Sequence, residues 1–322
     1  MSLPNSTVLI TDYNYPSLAI EEKIFSAAGI RMITAQASNV QEVINAGRDV
    51  DAILNQYAPI TAEVLENLSC CRAIVRYGIG VDNIDLKAAR NKSIPVANVP
   101  TYGIQEVADH TMTMTLALVR KLPQIQQLVK KGVWEGSPCR PIFEMAGQRF
   151  GLLGCGRIGQ AVARRARGFD FEVIGYDPFL SDKQLLDIGI EPVDFDSLIS
   201  SSDLISLHLP LNDQTHHVID TETFQLMRDQ AFLINCSRGG LVNSDALVEA
   251  LQNKIIAGAA LDVVEGEPIG KDHPLLSCEN AIVTSHVAWY SEESMQRLQR
   301  MAAEEIVRAL NGEPMLNVVN AE

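Results

Sequence analysis

The chain is short of positive charge. It has 26 Lys and Arg against 40 Asp and Glu in 322 residues, a formal net charge of -14. Nucleic-acid binding needs a basic face to neutralise phosphates, so no nucleic-acid partner is expected. A small anion is a different matter, because one or two arginines in a cleft bind a carboxylate on an acidic protein. The chain also lacks any apolar run long enough to cross a bilayer, and no membrane partner is expected. Its start, MSLPNSTVLITDY, has no basic segment leading into an apolar stretch. A cytoplasmic location is expected, and Met1 to Leu3 carry no weight in this reading. Cysteine is sparse as well: Cys70, Cys71, Cys139, Cys155, Cys236 and Cys278, with no CxxC pair and mostly in apolar runs. They read as buried thiols in a reducing compartment. No His, Cys and carboxylate set has ligand spacing, so no metal is expected.

What is present is an alternation of strand and helix from end to end. STVLITD, RMITAQ, DAILNQ, CRAIVRY and PVANV are short apolar strands with helical stretches between them. A long helix is expected from about Gln105 to Lys130, closed by Gly132, Gly136, Pro138 and Pro141. A second series follows: FGLLGC, FEVIGYD, LISLHLP, AFLINCS, IAGAALDVV and AIVTSHV, with a final amphipathic helix from SEESMQRL. Continuous apolar strands separated by helices mean parallel sheets covered on both faces. The fold class is α/β, with two doubly wound parallel-sheet units.

In GLLGCGRIGQAVARRARGFDFEVIGYD, the residues Gly154, Cys155, Gly156, Arg157, Ile158 and Gly159 fit GxGxxG. The pattern alone is weak, but here it stands between a strand and a helix, with a second strand beyond. The first glycine makes the tight turn, the second lets backbone approach a pyrophosphate, and the third lets helix pack on strand. The helix start then offers its free N–H groups to the phosphates. Asp177 ends the second strand, where a carboxylate binds ribose hydroxyls and repels a 2′-phosphate. Pro178 and Phe179 follow with no Arg to accommodate one, so the expected cofactor is NAD rather than NADP.

A hydride acceptor needs a proton donor, and a 2-keto acid adds a carboxylate that asks for Arg. These groups belong at the carboxyl ends of strands. Arg238 follows AFLINCS and precedes two glycines. Asp262 ends an apolar strand in ALDVVEGEP, and Glu265 and Glu267 are equal candidates beyond it. His286 follows ENAIVTS and is the leading acid, with His208, His216, His217 and His273 as competitors. His110 reads as a helix-surface or interface residue. In VRYGIGVDN, a strand runs into a Gly-containing loop whose amides can form an anion nest, with Arg76 adding charge.

Together these motifs resemble the D-isomer-specific 2-hydroxyacid dehydrogenases. The likeness runs nearly the whole chain, through VRYGIGVDNID, NVPTYGIQEVADHT, GLLGCGRIGQAV with GYDP, HLPLNDQT, NCSRGGLV, ALDVVEGEP and SHVAW. It implies a Rossmann domain over 101–289 that binds NAD. It also implies a flavodoxin-like substrate domain over 1–100 plus 290–322, with an active-site cleft between the two. A homodimer through the long helix is implied too. Arg238, Glu267 and His286 match the family's catalytic residues, which resolves the choice between Glu265 and Glu267. Asp262, Cys236 and Ser237 match positions near the nicotinamide. His208, Pro210 and Thr215 match the cofactor side of the H-x-P-L loop, and Thr111 is counted with them. Arg76, Tyr77, Gly78, Ile79, Gly80 and Trp289 match substrate-facing positions. Arg76 and Trp289 look most like the C-terminal-binding-protein branch.

The resemblance implies interconversion of a 2-keto acid and a D-2-hydroxy acid. The substrate is expected to be of the glyoxylate or hydroxypyruvate type or bulkier, rather than phosphoglycerate. The alternative is an NAD(H)-sensing scaffold of the C-terminal-binding-protein type.

Overall fold

The apolar runs become parallel strands in the computed structural model, which describes residues 6–321. Met1 to Leu3, set aside above, lie outside them. The chain divides into two units: the described residues up to Gly103 with those from Ser291 onward, and Ile104–Tyr290.

The first unit holds β1 (Thr7–Ile10), β2 (Arg31–Thr34), β3 (Ala52–Asn55), β4 (Ala73–Arg76) and β5 (Val96–Ala97). All pair in parallel in the order β2-β1-β3-β4-β5, the flavodoxin-like arrangement. Leu9, Ile53 and Ile74 are fully buried from neighbouring strands. The helix Glu292–Leu310 belongs to this unit. It buries Met295, Leu298, Ala302, Ile306 and Leu310 at helical spacing and packs on the helix Ala19–Ala27 and on β3 and β4. Ser291 and Ser294 cap its start reciprocally.

The second unit continues with β6 (Arg149–Leu153), β7 (Glu172–Tyr176), β8 (Glu191–Pro192), β9 (Leu204–Leu207), β10 (Phe232–Asn235), β11 (Gly258–Leu261) and β12 (Ala281–Val283). Their order is β12-β11-β10-β9-β6-β7-β8, all parallel. Strand order reverses between β6 and β9, and such a switch point opens a crevice at the strands' carboxyl ends. β8 is an edge strand of two residues with no apolar run, which hides it from a reading by pattern.

The expected helix from Gln105 to Lys130 is two helices, Ile104–Val119 and Leu122–Lys130. Lys121 adopts a left-handed φ of 52°, and Pro123 sits in the first turn of the second helix. Proline lacks the N–H a continuous helix would use, and it disfavours helical backbone in the residue before it. The first helix buries Val107, Thr111, Met114, Leu118 and others, whereas the second buries nothing. Among the described residues no helix is long and apolar enough to cross a membrane. Of the six cysteines, four are buried, Cys71 is half-buried and Cys70 is exposed.

Candidate active site

The glycine loop joins β6 to the helix Arg157–Arg167. Gly154 has a φ of +96°, and a Cβ there would lie 2.8 Å from the backbone of His208, so only glycine makes this turn. A Cβ on Gly159 would stand 2.4 Å from the Gly154 carbonyl oxygen, so the helix packs on the loop at a distance only glycine permits. A Cβ on Gly156 would meet nothing within 4 Å. Gly156 is also the N-cap, with no side chain closing the helix start. The loop therefore presents open space and unsatisfied N–H groups to a phosphate.

Asp177 stands beside it. Its Oδ2 accepts from the Cys155 N–H at 2.8 Å and its Oδ1 from the Phe179 N–H at 2.9 Å. These bonds fix the carboxylate and leave each oxygen a further lone pair. The neighbouring cavity of 540 Å³ is lined by Asp177, Asp182 and Asp194 together with Tyr176 and Leu180. That lining suits ribose hydroxyls and repels an added phosphate. An NAD-type dinucleotide fits the donor set on both counts.

The expected reacting groups lie beyond three adjacent strands of this sheet. Arg238 follows β10, Glu267 follows β11 and His286 follows β12, all at carboxyl ends. Glu267 Oε1 lies 2.5 Å from His286 Nδ1, and both side chains are more than a third exposed. Glu267 Oε2 accepts from the Val264 N–H at 3.1 Å, which holds the carboxylate in place. His286 itself has a φ of 56°, an uncommon backbone for a side chain with a Cβ and one that clusters at functional sites. Gly239 brings the Arg238 loop against Val264: a Cβ there would be 2.3 Å from the Val264 carbonyl carbon. Arg238 Nη1 donates to the Ser237 carbonyl at 2.8 Å. The Trp289 indole N–H donates to the His286 carbonyl at 3.1 Å, bracing the same turn.

Glu265 takes a different partner, His217, with Nε2 and Oε1 2.7 Å apart. The geometry thus separates two carboxylates that spacing leaves equivalent.

Several expected contacts are relocated. Asp262 is buried, and its carboxylate is taken up inside the unit. Oδ1 accepts from Thr284 Oγ1 at 2.5 Å and the Val287 N–H at 3.0 Å, and Oδ2 from the Ala288 N–H at 2.8 Å. This carboxylate holds the turn that carries His286. Thr111 is fully buried and donates to the Val107 carbonyl at 2.7 Å, because it lies on the inward face of its helix. Thr215 Oγ1 donates to the Pro210 carbonyl at 2.6 Å, closing the 210–215 loop on itself. Ser237 Oγ ties that loop to the end of β10 through the Leu209 carbonyl at 2.6 Å. Burial pushes the Cys236 thiol up to about 12 and His208 down to about 4. Cys236 is thus a neutral thiol and His208 a neutral imidazole, 3.0 Å from Ser206 Oγ.

In the first unit, the loop after β4 differs from the expected anion nest. The Tyr77 N–H donates to the Asn55 carbonyl at 2.8 Å, and the Gly78 N–H to the Arg76 carbonyl at 2.9 Å. The first amide extends the β3–β4 ladder and the second closes the turn, which leaves the amides of Ile79 and Gly80. The Tyr77 ring points inward, its hydroxyl donating to buried Glu21 at 2.7 Å. The Arg76 guanidinium lies over Gly78, where a Cβ would fall 1.5 Å from Nη1.

Two groupings were not visible from spacing. His110 Nε2 lies 3.1 Å from Thr284 Oγ1 and 3.5 Å from Asp262 Oδ1, so the half-buried His110, read above as a helix-surface or interface residue, also supports the turn under His286. The signal existed: His110 stands three residues after Val107 and four before Met114, both buried on one helix face. Spacing along the chain also shows no metal-ligand set, yet folding gathers His216, His217 and Glu265, with donor atoms all within 4.8 Å of one another.

With this geometry in hand, comparison with known proteins is direct. Residues 112–288 match the family model described as "D-isomer specific 2-hydroxyacid dehydrogenase, NAD binding domain". A D-3-phosphoglycerate dehydrogenase of Methanocaldococcus jannaschii is 40% identical over 282 residues, 87% of this chain and 53% of the relative. The chain thus spans about half the length of the curated relatives that head the comparison. A glyoxylate reductase of Korarchaeum cryptofilum is 37% identical and matches at 87% of this chain and 86% of its own length. Among solved structures, D-lactate dehydrogenase from Aquifex aeolicus, complexed with NAD and lactic acid, superposes with a TM-score of 0.89. It is 29% identical, with 98% of this chain and 99% of that one covered.

Proposed function

The chain belongs to the D-isomer specific 2-hydroxyacid dehydrogenase family, and we propose that it reduces a small 2-keto acid to the D-2-hydroxy acid, reversibly, with NAD(H). The observation that carries this reading is the Glu267–His286 pair at the carboxyl end of the sheet whose glycine loop fits a dinucleotide. NAD, when bound there, supplies or accepts the hydride. His286 donates the proton that the carbonyl oxygen needs in reduction and takes it back in oxidation. Glu267 orients the imidazole through Nδ1, which turns Nε2 toward the substrate. Arg238 binds the substrate carboxylate and polarises the carbonyl. Asp262 acts through the turn it holds, as a positioning residue. Arg76 with Ile79 and Gly80, of the first unit, is retained as substrate-binding, and Trp289, of the second, as a wall for the substrate side chain. Arg76 and Trp289 are also what supports a likeness to the C-terminal-binding-protein branch.

A substrate of the glyoxylate or hydroxypyruvate type is favoured. The glyoxylate reductase of Korarchaeum cryptofilum, matched over 87% of this chain and 86% of its own, supports this reading. A homodimer is part of the reading. The helix Leu122–Lys130 buries nothing of its own, and Leu122, Val129, Trp134 and Phe143 are exposed, Trp134 by 89%. Four large apolar side chains exposed within one stretch of chain support a protein interface there. The cytoplasm is the proposed setting, supported by unpaired thiols buried among apolar side chains.

The test is NADH oxidation against glyoxylate, hydroxypyruvate, its phosphorylated form, pyruvate and bulkier 2-keto acids, with NADPH in parallel. Turnover with NADH on one or two unphosphorylated acids is expected. Tight NADH binding with no turnover on any of them would overturn the reading in favour of a sensor.

A further inference from the structure

The proposed chemistry leaves one cluster of donor groups unused. His216 and His217 stack with ring centroids 3.8 Å apart and planes 29° from parallel. Both present Nε2 to one oxygen, Glu265 Oε1, at 3.8 and 2.7 Å. We propose that His216, His217 and Glu265 form a binding site for a divalent transition cation of the zinc type.

The donor set is the first argument. Two imidazoles and one carboxylate suit zinc, nickel or copper rather than magnesium or calcium, which prefer all-oxygen shells. Three protein ligands leave a fourth position for water.

Distance is the second. Zinc holds imidazole nitrogen at about 2.0–2.1 Å and carboxylate oxygen at about 2.0–2.2 Å, so donors sharing one tetrahedral ion sit roughly 3–3.5 Å apart. The two separations from Glu265 Oε1, 2.7 and 3.8 Å, bracket that range, and all three donor atoms lie within 4.8 Å. Rotation of exposed side chains closes the difference.

Support from the surrounding chain is the third. The His217 N–H donates to the Gly240 carbonyl at 2.8 Å, which fixes its backbone. Glu265 Oε2 accepts from the Ser244 N–H at 3.4 Å, leaving Oε1 for an ion. His217 Nδ1 lies 3.5 Å from Asn243 Nδ2, at the long limit of a hydrogen bond, as the Ser244 contact is. The three side chains are 54%, 29% and 37% exposed, so an ion reaches them from solvent. On binding, the ion takes the place of the direct contact between His217 Nε2 and Glu265 Oε1, and each coordinates through a lone pair. The ion would pin the loop after β9 to the turn after β11. This inference is independent of the catalytic reading, and its test reads binding alone.

The 322-residue chain, stripped of metal, is titrated calorimetrically with zinc alone, beside His216→Ala and Glu265→Gln. One equivalent per chain is expected, with affinity reduced at least tenfold in each variant. His216 is exposed, so its variant keeps the wild-type melting temperature. In parallel, cobalt(II) added to the wild-type chain should give ligand-field bands without thiolate charge transfer. No zinc binding, equal affinity in His216→Ala, or a thiolate band that places the ion on exposed Cys70 would each overturn the proposal.

Discussion

His286 Nδ1 and Glu267 Oε1 lie 2.5 Å apart, while Glu265, two residues earlier, is bonded to His217. The first contact leaves Nε2 of His286 as the ring nitrogen available to a substrate oxygen. His286→Ala should therefore lose about two to four decades in the rate of keto-acid reduction, the usual worth of a positioned general acid. Glu267→Gln keeps the shape but not the charge-assisted bond to Nδ1, and its kcat should fall while NADH affinity holds. Steady-state rates and NADH titration of both variants decide this; a wild-type kcat in Glu267→Gln would remove Glu267 from the role of orienting partner.

Asp262 is the acceptor on which the His286 turn hangs. Asp262→Ala leaves the N–H groups of Val287 and Ala288 without their acceptor inside the unit, while Thr284 Oγ1 keeps His110 Nε2 beside it. Each buried polar group so orphaned costs about 1–3 kcal/mol. The expected result is a clear loss of stability in urea unfolding together with a fall in kcat. An unchanged midpoint with normal kcat would show that the turn holds itself.

The glycines of the loop separate folding from binding. Gly159→Ala sets a Cβ 2.4 Å from the Gly154 carbonyl oxygen, so the helix must shift, at about 1–3 kcal/mol of overpacking strain. Gly156→Ala meets no protein atom within 4 Å, and its melting temperature should match the wild type. Its methyl group occupies the approach to the phosphates, and NADH affinity should fall at least tenfold. Calorimetry and NADH fluorescence titration on the two variants give the comparison. Wild-type NADH affinity in Gly156→Ala would mean that the cofactor does not use this loop.

Much of this site can be read from the chain because strand ends are legible. Each apolar run stops where a polar residue begins, and in a parallel sheet those stops collect at one edge. That places Gly154, Asp177, His208, Arg238, Asp262 and His286 together without any coordinates. Side-chain direction is what the pattern does not carry. Asp262 ends its strand as expected yet turns inward, because Thr284 and the Val287–Ala288 amides compete for it. Tyr77 sits in the expected loop with its ring buried against Glu21. Glu265 and Glu267 flank one glycine, and only their separate histidine partners distinguish them. His217 and Glu265 are 48 residues apart, so no spacing rule connects them. His110 and the break at Lys121 were readable in principle, the first from helical periodicity and the second from Pro123.

Asp177 should govern cofactor choice. Its carboxylate is fixed by the Cys155 and Phe179 amides beside a cavity that also holds Asp182 and Asp194. Asp177→Ala removes the charge nearest the position of a 2′-phosphate. The ratio of kcat/KM for NADH over NADPH should fall about tenfold or more, equivalent to about 1.4 kcal/mol. A ratio that does not move would assign the discrimination to other residues of that cavity.

His208 supplies the pH dependence of stability. Burial holds its folded-state value down to about 4, below the 6.5 of an exposed imidazole. Between these limits the unfolded chain takes up a proton that the folded chain refuses. Stability from this group is therefore complete above about 6.5 and is lost as pH falls toward 4. Replacing His208 by Asn removes the difference, so the acid limb of the stability curve should be shallower in the variant across that window. Urea midpoints measured at steps from pH 7 to 4 test it. Parallel curves for the two proteins would mean that His208 accepts its proton in the folded state at ordinary pH, through an opening of the turn that follows β9.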